Sequence, residues 1–400
     1  MFKIKIYNQL SVKGLDRFPR DHYELSSDTE CPDALLLRSY PLHKEPVADT
    51  VKAVARAGAG VNNIPIEEYT KKGIVVFNTP GANANAVKEL VLAGLLLSTR
   101  GIVKGMRYAQ SLKDITDKAL MNKQLEAEKK RFAGSELYGK SIGIVGLGAI
   151  GSMVADMALA LGMKVLGYDP ALSVEAAWRL PSQVQKMENL QSLLANADYV
   201  SVHVPAIEAT NNLINADMLK SIRPGAVLLN FARSSIVDPQ AVVDSLEANH
   251  LGWYVCDFPE PCLLSNEKVI AMPHIGASTI EAEENCAVMA ADQLMDYLEN
   301  GNIRNSVNFP AIFMDGSNAE GCRLTFANHN VSGVLGDVLS VFNKYKVNVI
   351  DMVNKSKEQI AYNIIDLETL PSEADQTYNG HGQEQIHQTR HPLPNPLPSN

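Results

Sequence analysis

The chain has 400 residues, of which 46% are hydrophobic and 20% charged, and its formal net charge is −9. This length allows two or three domains, and the acidic balance argues against a surface for nucleic acid or for an anionic membrane. No apolar run reaches the roughly 18 residues that span a bilayer, so we expect no membrane partner. Five cysteines without metal-ligand spacing predict reduced thiols, a cytoplasmic location and no metal site.

Residues 1–95 alternate short strands and helices and predict an open α/β sheet. Strands are predicted at 2–7, 34–38, 53–55 and 75–77. Arg38 and Ser39 follow one of these strands, and Arg56 and Gly58 follow another. Because ligands bind outside the carboxyl ends of strands in such sheets, the two arginines could grip a carboxylate and a phosphate in forked hydrogen bonds. The alternative is that both arginines are exposed loop charges.

The segment after the last of these strands begins with a turn that contains Asn78. A helix predicted at 86–99 follows it and is apolar on nearly every side. Such a helix needs burial all round, so we predict that it connects two domains and forms a dimer face. Residues 107–138 are rich in lysine and glutamate and predict a solvated helical connection.

Residues 141–169 predict a β-α-β unit that binds a dinucleotide. An apolar run at 142–145 is typical of a buried parallel strand. Gly146, Gly148 and Gly151 then follow in the G-x-G-x-x-G spacing. These glycines allow a tight turn, a close approach of backbone N–H groups to a pyrophosphate, and close packing of the helix on its strand.

Asp169 ends the second predicted strand of this unit. It lies at about the distance beyond the glycines at which an acidic side chain takes the ribose 2′-OH of such a cofactor. The pyrophosphate would lie at the helix N-terminus, where the dipole favours an anion. A carboxylate repels the 2′-phosphate of NADP, so the sequence predicts NAD as the cofactor.

Four more strands are predicted beyond Asp169, and polar or charged residues follow each of them. The strands lie at 199–204, 226–230, 253–256 and 269–272. The residues at their ends are His203 and Pro205, then Asn230, Ala232 and Arg233, then Asp257 to Glu260, and finally Pro273 to Gly276. Because the carboxyl ends of parallel strands meet at one edge, these residues lie where a ligand binds. Each of them alone could be a cap or a turn residue.

Hydride transfer between a 2-hydroxy acid and nicotinamide needs a base for the hydroxyl proton and a cation for the carboxylate, with the cofactor alongside. His274 suits the proton transfer because imidazole titrates near neutrality. The alternative for His274 alone is an ordinary loop histidine. Glu260 would favour the protonated imidazole if it reaches the ring, and Arg233 would supply the cation.

The motifs GLGAIG, YDP, HVP, LNFAR, DFPEP and PHIGAST occur in this order. Together with RS at Arg38, RAGAGV at Arg56 and NTP at Asn78, they make the chain resemble the D-2-hydroxyacid dehydrogenase family. The likeness extends to about Glu368. It implies an α/β fold with two doubly wound parallel-sheet (Rossmann-like) domains, and a cleft between them that closes on the ligand. The implied substrate domain is 1–95 with 285–310, and the NAD domain is 96–284.

The resemblance implies Arg233 as the substrate-orienting arginine, His274 as the catalytic base and Glu260 as its partner. The residues that it implies at the cofactor are Gly146, Gly148, Ala149, Ile150, Gly151, Asp169, His203, Pro205, Ala232, Asp257 and Gly276. Those that it implies at the substrate are Arg38, Ser39, Arg56, Gly58 and Asn78. The implied role of the two arginines favours binding over the loop-charge alternative.

The reaction implied in this way is the NAD-dependent oxidation of 3-phospho-D-glycerate to 3-phosphohydroxypyruvate, the first step of L-serine synthesis, by a homodimer or homotetramer. Two arginines beyond Arg233 are more than lactate needs, and a substrate with a carboxylate and a phosphate would use them. The alternatives are another member of the family, such as a hydroxypyruvate or glyoxylate reductase, and a non-catalytic NAD sensor.

The chain departs from the family pattern at two places. Ser234 follows Arg233 where much of the family has glycine, which alters the turn. The segment from Asp257 to Glu260 is shorter than the usual spacing of the family.

Residues 318–370 predict a strand, a helix and two strands, most of a ferredoxin-like module. The module resembles a serine-sensing ACT domain, and Asn330 and Asn348 fall at positions implied to bind the effector L-serine. The full fold needs a further helix and an edge strand, and the Gln-, His- and Pro-rich tail at 371–400 predicts neither. We therefore expect an incomplete module with an unpaired sheet edge, followed by a disordered tail.

Overall fold

The structure is a computed structural model that describes residues 1–315, 321–369 and 389–392. The chain divides into two compact units. One unit consists of 1–83 and the described part of 283–400, and the other consists of 84–282.

The first unit begins with five strands and two short helices. They are β1 (Phe2–Ile6), β2 (Tyr23–Ser26), β3 (Ala34–Leu37), β4 (Ala53–Arg56), β5 (Val75–Phe77), α1 (Val12–Leu15) and α2 (Ile66–Lys71). The strands form a parallel sheet in the order β2-β1-β3-β4-β5. Strand β3 is apolar throughout and β4 is apolar up to Arg56, because both faces of the sheet are covered there. Strand β2, with the sequence Tyr-Glu-Leu-Ser, was not predicted, since an edge strand carries a weaker apolar signal.

The second unit is built around a seven-stranded parallel sheet. Its strands are β6 (Ser141–Val145), β7 (Lys164–Tyr168), β8 (Gln185–Lys186), β9 (Tyr199–Val202), β10 (Val227–Asn230), β11 (Trp253–Cys256) and β12 (Val269–Ala271). Its helices are α3 (Ala84–Thr99), α4 (Ile102–Ser111), α5 (Lys118–Glu128), α6 (Ala149–Ala160), α7 (Val174–Ala177), α8 (Leu190–Asn196), α9 (Ala216–Ser221) and α10 (Pro239–Glu247). The strand order is β12-β11-β10-β9-β6-β7-β8, so the winding reverses between β6 and β9, where such folds bind a dinucleotide. The predicted fold class is confirmed.

Helix α3 packs on the sheet of the second unit. A β-carbon added at Gly94 would lie 3.1 Å from Val255 and 3.2 Å from Leu229, so the helix approaches β10 and β11 closely. Val91 and Leu95 are fully buried there. The observed division after Asn83 therefore differs from the predicted boundary at 95/96, because this sheet covers the apolar face of the helix. The dimer face proposed for α3 stays a prediction.

The rest of the first unit contains α11 (Ile280–Asn300), which enters the unit at Glu283, and a small antiparallel sheet with one helix. The elements are β13 (Cys322–His329), α12 (Val334–Lys344), β14 (Val349–Lys357), β15 (Ile360–Leu367) and β16 (Thr389–Pro392). Tyr362 and Ile364 of β15 lie in the same hydrophobic core as Leu294 of α11. The Tyr362 hydroxyl also donates a 3.0 Å hydrogen bond to the Gly301 carbonyl. The antiparallel sheet thus belongs to the first unit.

Arg323 anchors this sheet to the end of α11. The side chain is 1% exposed, and its guanidinium pairs with both carboxylate oxygens of Asp366, at 2.7 and 2.8 Å. It also donates to the carbonyls of Asn300 and Met314, at 3.1 and 3.0 Å. A cation at the last carbonyl of α11 is favoured by the helix dipole.

The expectation of an unpaired sheet edge was wrong. Strand β16 pairs antiparallel with β13, with Pro392 opposite Cys322 and Thr389 opposite Thr325, and the sheet has the order β14-β15-β13-β16. The sequence of β16, Thr-Arg-His-Pro, has no apolar alternation, so the pairing depends on backbone hydrogen bonds that a side-chain pattern does not reveal. The predicted disorder of 371–400 and the missing helix otherwise lie outside the described residues.

Candidate active site

The glycine turn joins β6 to α6 in the second unit and needs glycine at two positions. Gly146 has φ +90°, and a β-carbon there would lie 2.6 Å from the His203 carbonyl oxygen. A β-carbon on Gly151 would collide with the Gly146 carbonyl oxygen. Only glycine therefore lets α6 pack this closely against its strand.

Gly148 leaves open space at the N-terminus of α6. It is the N-cap of a 12-residue helix, and a β-carbon added to it would meet no atom within 4 Å. Ala149 and Ile150 open the helix, where backbone N–H groups have no partner within the helix. Open space beside these donors fits the pyrophosphate of a dinucleotide.

Asp169 lies beside the same turn, at the end of β7. One of its carboxylate oxygens accepts a hydrogen bond from the Leu147 N–H at 2.8 Å, and the other accepts one from the Ala171 N–H at 2.9 Å. These bonds hold a negative charge next to the glycine turn. The arrangement fits ribose hydroxyls and disfavours a 2′-phosphate.

His203 lies at the end of β9, where its carbonyl contacts the glycine turn. Its Nε2 is 2.8 Å from the hydroxyl of buried Ser201, a residue that the sequence analysis did not single out. Its Nδ1 is buried and has no hydrogen-bond partner among the described residues. Burial lowers the pKa of His203 to about 4, so the imidazole is neutral at pH 7. Pro205 follows in the loop, where its carbonyl accepts a hydrogen bond from Thr210.

Asn230 shapes the loop that carries Arg233. Its amide nitrogen donates to the Arg233 carbonyl at 2.9 Å, and its amide oxygen accepts from the Ala232 N–H at 3.1 Å. The fully buried amide thus folds the chain at the end of β10 and leaves Arg233 exposed. Ser234 begins a 3₁₀ turn directly afterwards. Sequence reasoning placed Asn230 at a strand end and gave it no role.

Asp257 holds the loop that carries His274. Its carboxylate accepts backbone hydrogen bonds from Ile275 at 2.8 Å and from Gly276 at 2.7 Å. Its carbonyl accepts a third bond, from the His274 N–H at 3.0 Å. Asp257 is 2% exposed, so these bonds satisfy a buried carboxylate.

His274 has a left-handed backbone and an exposed side chain. Its φ of +56° is costly for a residue with a β-carbon, and the three backbone N–H groups that donate to Asp257 hold the loop in this conformation. The imidazole packs against Phe258, with 4.8 Å between ring centroids.

Glu260 lies half-buried after β11. Burial is the main reason that the pKa of Cys256 rises to about 11, and the charge of Glu260 adds to the rise. Within the part of the chain that the structure describes, no hydrogen bond or ion pair joins His274 to Glu260 or to Arg233. The three residues follow the carboxyl ends of β10, β11 and β12, which are neighbouring strands of the second sheet. Their catalytic roles stay predictions.

In the first unit, the residues predicted to bind substrate lie at one sheet edge. Leu37, the neighbour of Arg38, pairs in register with Arg56, so both arginines lie at adjacent strand ends. A β-carbon on Gly58 would collide with the Arg56 guanidinium, which packs over this glycine. Asn78 donates to the Ala59 carbonyl at 2.7 Å and so fixes the loop of Gly58. The remaining predicted residue, the exposed Ser39, follows Arg38 directly.

Two residues of α11 reach this edge and were not predicted. The carboxylate of Glu283 lies 2.7 Å from Nη1 of Arg38. Burial raises the pKa of the Cys286 thiol, and the charges of Arg38 and Arg56 partly offset that rise. More than 200 residues separate these contacts in the sequence, so no local pattern could have indicated them.

The two residues implied to bind an effector lie beside the antiparallel sheet of the first unit, Asn330 directly after β13 and Asn348 directly before β14. The Asn330 side chain donates to the Glu358 carbonyl at 3.4 Å, and the Asn348 carbonyl accepts from the Glu368 N–H at 3.0 Å. No hydrogen bond connects the two asparagines in the described ranges. Their effector role stays a prediction.

In residues 1–315, 321–369 and 389–392, no group of three His, Cys, Asp or Glu side chains is arranged to hold a metal ion. No helix in the same ranges combines the length and the apolar character that crossing a membrane requires.

The second unit contains the match to a known family. Residues 106–276 match the family model described as D-isomer specific 2-hydroxyacid dehydrogenase, NAD binding domain.

Two similar proteins are both named D-3-phosphoglycerate dehydrogenase. The chain is 37% identical over 292 residues to the protein of Synechocystis sp., a match that covers 71% of this chain and 50% of the relative. It is 33% identical over 333 residues to the protein of Escherichia coli K12, and this match covers 80% of this chain and 76% of the relative. The chain thus spans about half the length of the Synechocystis protein.

A solved structure is similar as well. It is the NAD⁺-bound 3-phosphoglycerate dehydrogenase of Entamoeba histolytica, with a TM-score of 0.60 and 25% identity. The match covers 78% of this chain and 99% of that one.

Proposed function

The chain belongs to the D-isomer specific 2-hydroxyacid dehydrogenase family, and we propose that it oxidises 3-phospho-D-glycerate to 3-phosphohydroxypyruvate with NAD, the first step of L-serine synthesis. The observation that carries this proposal is the pair of arginines at one edge of the first sheet. A substrate with a phosphate as well as a carboxylate needs such additional cations, whereas lactate does not. The names of the two relatives support the same substrate.

The second unit binds NAD, as the family match indicates. The open space at Gly148 suits the pyrophosphate, and the carboxylate of Asp169 suits the ribose hydroxyls. When bound, NAD supplies a nicotinamide ring that accepts a hydride. We propose that Ala149, Ile150, His203, Pro205, Ala232, Asp257 and Gly276 complete the site.

We propose that Arg38 and Arg56 hold the phosphate end of the substrate. Ser39, Gly58 and Asn78 would complete this grip, because the loop of Gly58 presents backbone groups next to the arginines. Arg233 would align the carboxylate and the hydroxyl oxygen in the forked geometry that guanidinium favours. In the proposed reaction, the imidazole of His274 takes the hydroxyl proton as the carbon loses its hydride. Glu260 would stabilise the imidazolium that forms.

The backbone at His274 supports its proposed role. A residue held in a costly conformation by a buried carboxylate is typical of functional loops. The exposed imidazole is within reach of solvent, to which the abstracted proton must finally go.

We further propose that the described part of 318–370, together with β16, forms an ACT-like domain that binds L-serine through Asn330 and Asn348. The β-α-β-β order with a fourth strand beside β13 supports this assignment. We also propose a homodimer or homotetramer in the cytoplasm.

An NADH-absorbance assay with a panel of 2-hydroxy acids tests the proposed reaction. We expect turnover with 3-phosphoglycerate and far weaker turnover with D-glycerate and D-lactate. Arg56→Ala should lower kcat/KM for 3-phosphoglycerate at least about tenfold, because charge-assisted hydrogen bonds to the phosphate are lost. The kcat/KM for D-glycerate should change little. Equal losses with both substrates would favour a hydroxypyruvate or glyoxylate reductase.

His274→Ala separates the enzyme from a non-catalytic NAD sensor. The proposed role demands a fall in kcat of about 100-fold or more, with the Kd for NAD nearly unchanged. An absence of activity on every acid of the panel would favour the sensor.

A further inference from the structure

A carboxylate of the chain itself engages the Arg38 guanidinium. Nη1 of Arg38 lies 2.7 Å from Oε1 of Glu283, and the two side chains are 39% and 45% exposed. Nη1 belongs to the fork with which arginine grips a phosphate or a carboxylate in two parallel hydrogen bonds. Glu283 therefore uses a donor that the proposed substrate also needs.

Glu283 lies on the face of α11 that is close to the positive charges of Arg38 and Arg56. Cys286 is one helical turn further along this face. Burial raises the pKa of its thiol, and the positive charges of Arg38 and Arg56 act in the opposite direction. The negative charge of Glu283 thus lies in the same region as the two arginines to which we assign the phosphate group.

We propose that Glu283 competes with the phosphate group of the substrate for Arg38 and so weakens the binding of ligands that carry a phosphate. This inference rests on the proposed function. An exposed ion pair is weak, so a phosphate can replace the Glu283 carboxylate at Arg38 with a net gain. A neutral hydroxyl at the same place, as in D-glycerate, cannot. Glu283 therefore sets the affinity of the site for phosphate-bearing ligands and is not a catalytic residue.

A supporting role for Glu283 would act in the opposite direction. If the carboxylate oriented Arg38 for the ligand, its removal would weaken the binding of a phosphate. If it competes, its removal strengthens that binding. The sign of the change in affinity separates the two roles.

Glu283→Gln keeps the length of the side chain and removes its charge. Titration calorimetry of the full chain with 3-phosphoglycerate should show a Kd that is lower by about two- to fivefold, the range that an exposed ion pair is worth. The KM for 3-phosphoglycerate should fall in parallel. The Kd for D-glycerate should change by less, because this ligand has no phosphate that contacts Arg38.

Glu284→Gln is the matched control. It removes the same charge one residue further along α11, where the carboxylate pairs with Lys13 at 2.6 Å instead of with Arg38. Its Kd for 3-phosphoglycerate should equal that of the unchanged chain. In an Arg38→Gln background, Glu283→Gln should give no further gain, because the competed group is absent.

An unchanged or higher Kd in Glu283→Gln, or an equal gain in Glu284→Gln, would overturn the inference. Calorimetry reports binding without turnover, so the two proposals fail separately. A gain in affinity without oxidation of 3-phosphoglycerate would refute the proposed reaction alone. Oxidation without a gain in affinity would refute the competition alone.

Discussion

The carboxylate of Asp257 accepts a 2.7 Å hydrogen bond from the backbone N–H of Gly276, two residues beyond His274. A β-carbon on Gly276 would lie 2.9 Å from the same carboxylate, so the contact leaves no room for a side chain. The buried carboxylate at the end of β11 thus sets the path of the loop after β12. It connects the core of the second sheet to the proposed catalytic base.

Asp257→Asn should impair catalysis. Both carboxylate oxygens accept backbone N–H groups, so the NH₂ group of asparagine would place a donor opposite a donor and shift the loop. A displacement of about 1 Å at a reacting group costs roughly 100-fold in rate. We expect kcat with 3-phosphoglycerate to fall between about tenfold and 100-fold in the NADH-absorbance assay. Asp217→Asn, an exposed substitution on α9 of the same unit, should leave kcat unchanged. A kcat within twofold of the original for Asp257→Asn would show that the loop does not depend on this carboxylate.

Gly148→Val should weaken NAD binding with little loss of stability. A β-carbon at Gly148 meets no atom of the chain, so the folded state has room for the side chain, but that room is where we place the pyrophosphate. The Kd for NAD, measured by calorimetry, should rise at least about tenfold, since backbone N–H groups can no longer approach the anion. Gly336→Val, on α12 and also with open space, is the control and should bind NAD normally. Unchanged NAD affinity in Gly148→Val would place the cofactor elsewhere.

The stability of the protein should depend on pH through His203. Burial lowers its pKa from the ordinary 6.5 to about 4. Between these values the unfolded chain binds a proton that the folded chain does not, so the free energy of unfolding falls as the pH drops from about 6.5 towards 4. A shift of this size is worth up to roughly 3 kcal/mol. Urea unfolding at pH 7.5 and at pH 4.5 measures this loss.

His203→Gln should show a smaller loss over the same pH interval, because glutamine takes up no proton and still has a polar atom for Ser201. His22→Gln, at an exposed position, is the control and should keep the original pH dependence. An identical pH dependence in His203→Gln would mean that another group is responsible.

Arg323→Met should strongly destabilise the first unit. It leaves the Asp366 carboxylate buried without its partner, and breaking a buried ion pair in this way costs about 3–5 kcal/mol. Lys13→Met breaks an exposed ion pair and should cost about 0–1 kcal/mol in the same urea titration. The double variant Arg323→Met/Asp366→Leu should regain most of the loss, since no uncompensated charge then remains. A loss below about 1 kcal/mol in Arg323→Met would mean that the guanidinium does not anchor the sheet.

Much of the fold could be predicted from the sequence, because the signals are local. A parallel strand that is covered on both faces must be apolar, and β6, β9 and β10 could be recognised from short runs of such residues. The glycine turn could be predicted from spacing alone, since Gly146 and Gly151 meet steric demands that no other residue satisfies.

The two sets of candidate residues could be assigned to sheet edges because parallel strands bring their carboxyl ends to one edge of a sheet. Arg38 and Arg56 could thus be placed together from the strand pattern before their contacts were known. What the pattern could not provide was the hydrogen bonding inside each loop. The roles of Asn230 and Asp257 in holding their loops depend on the direction of single side-chain atoms.

The sequence by itself determined the class of fold, the dinucleotide turn and the edge at which each candidate residue lies. Only the tertiary structure decided that Glu283 opposes Arg38, that α3 packs on the second sheet, and that β16 covers the edge of β13. The physical reason is the range of the interactions. Backbone sterics and hydrophobic period act over a few residues, whereas ion pairs, helix packing and strand pairing join segments that are far apart in the chain.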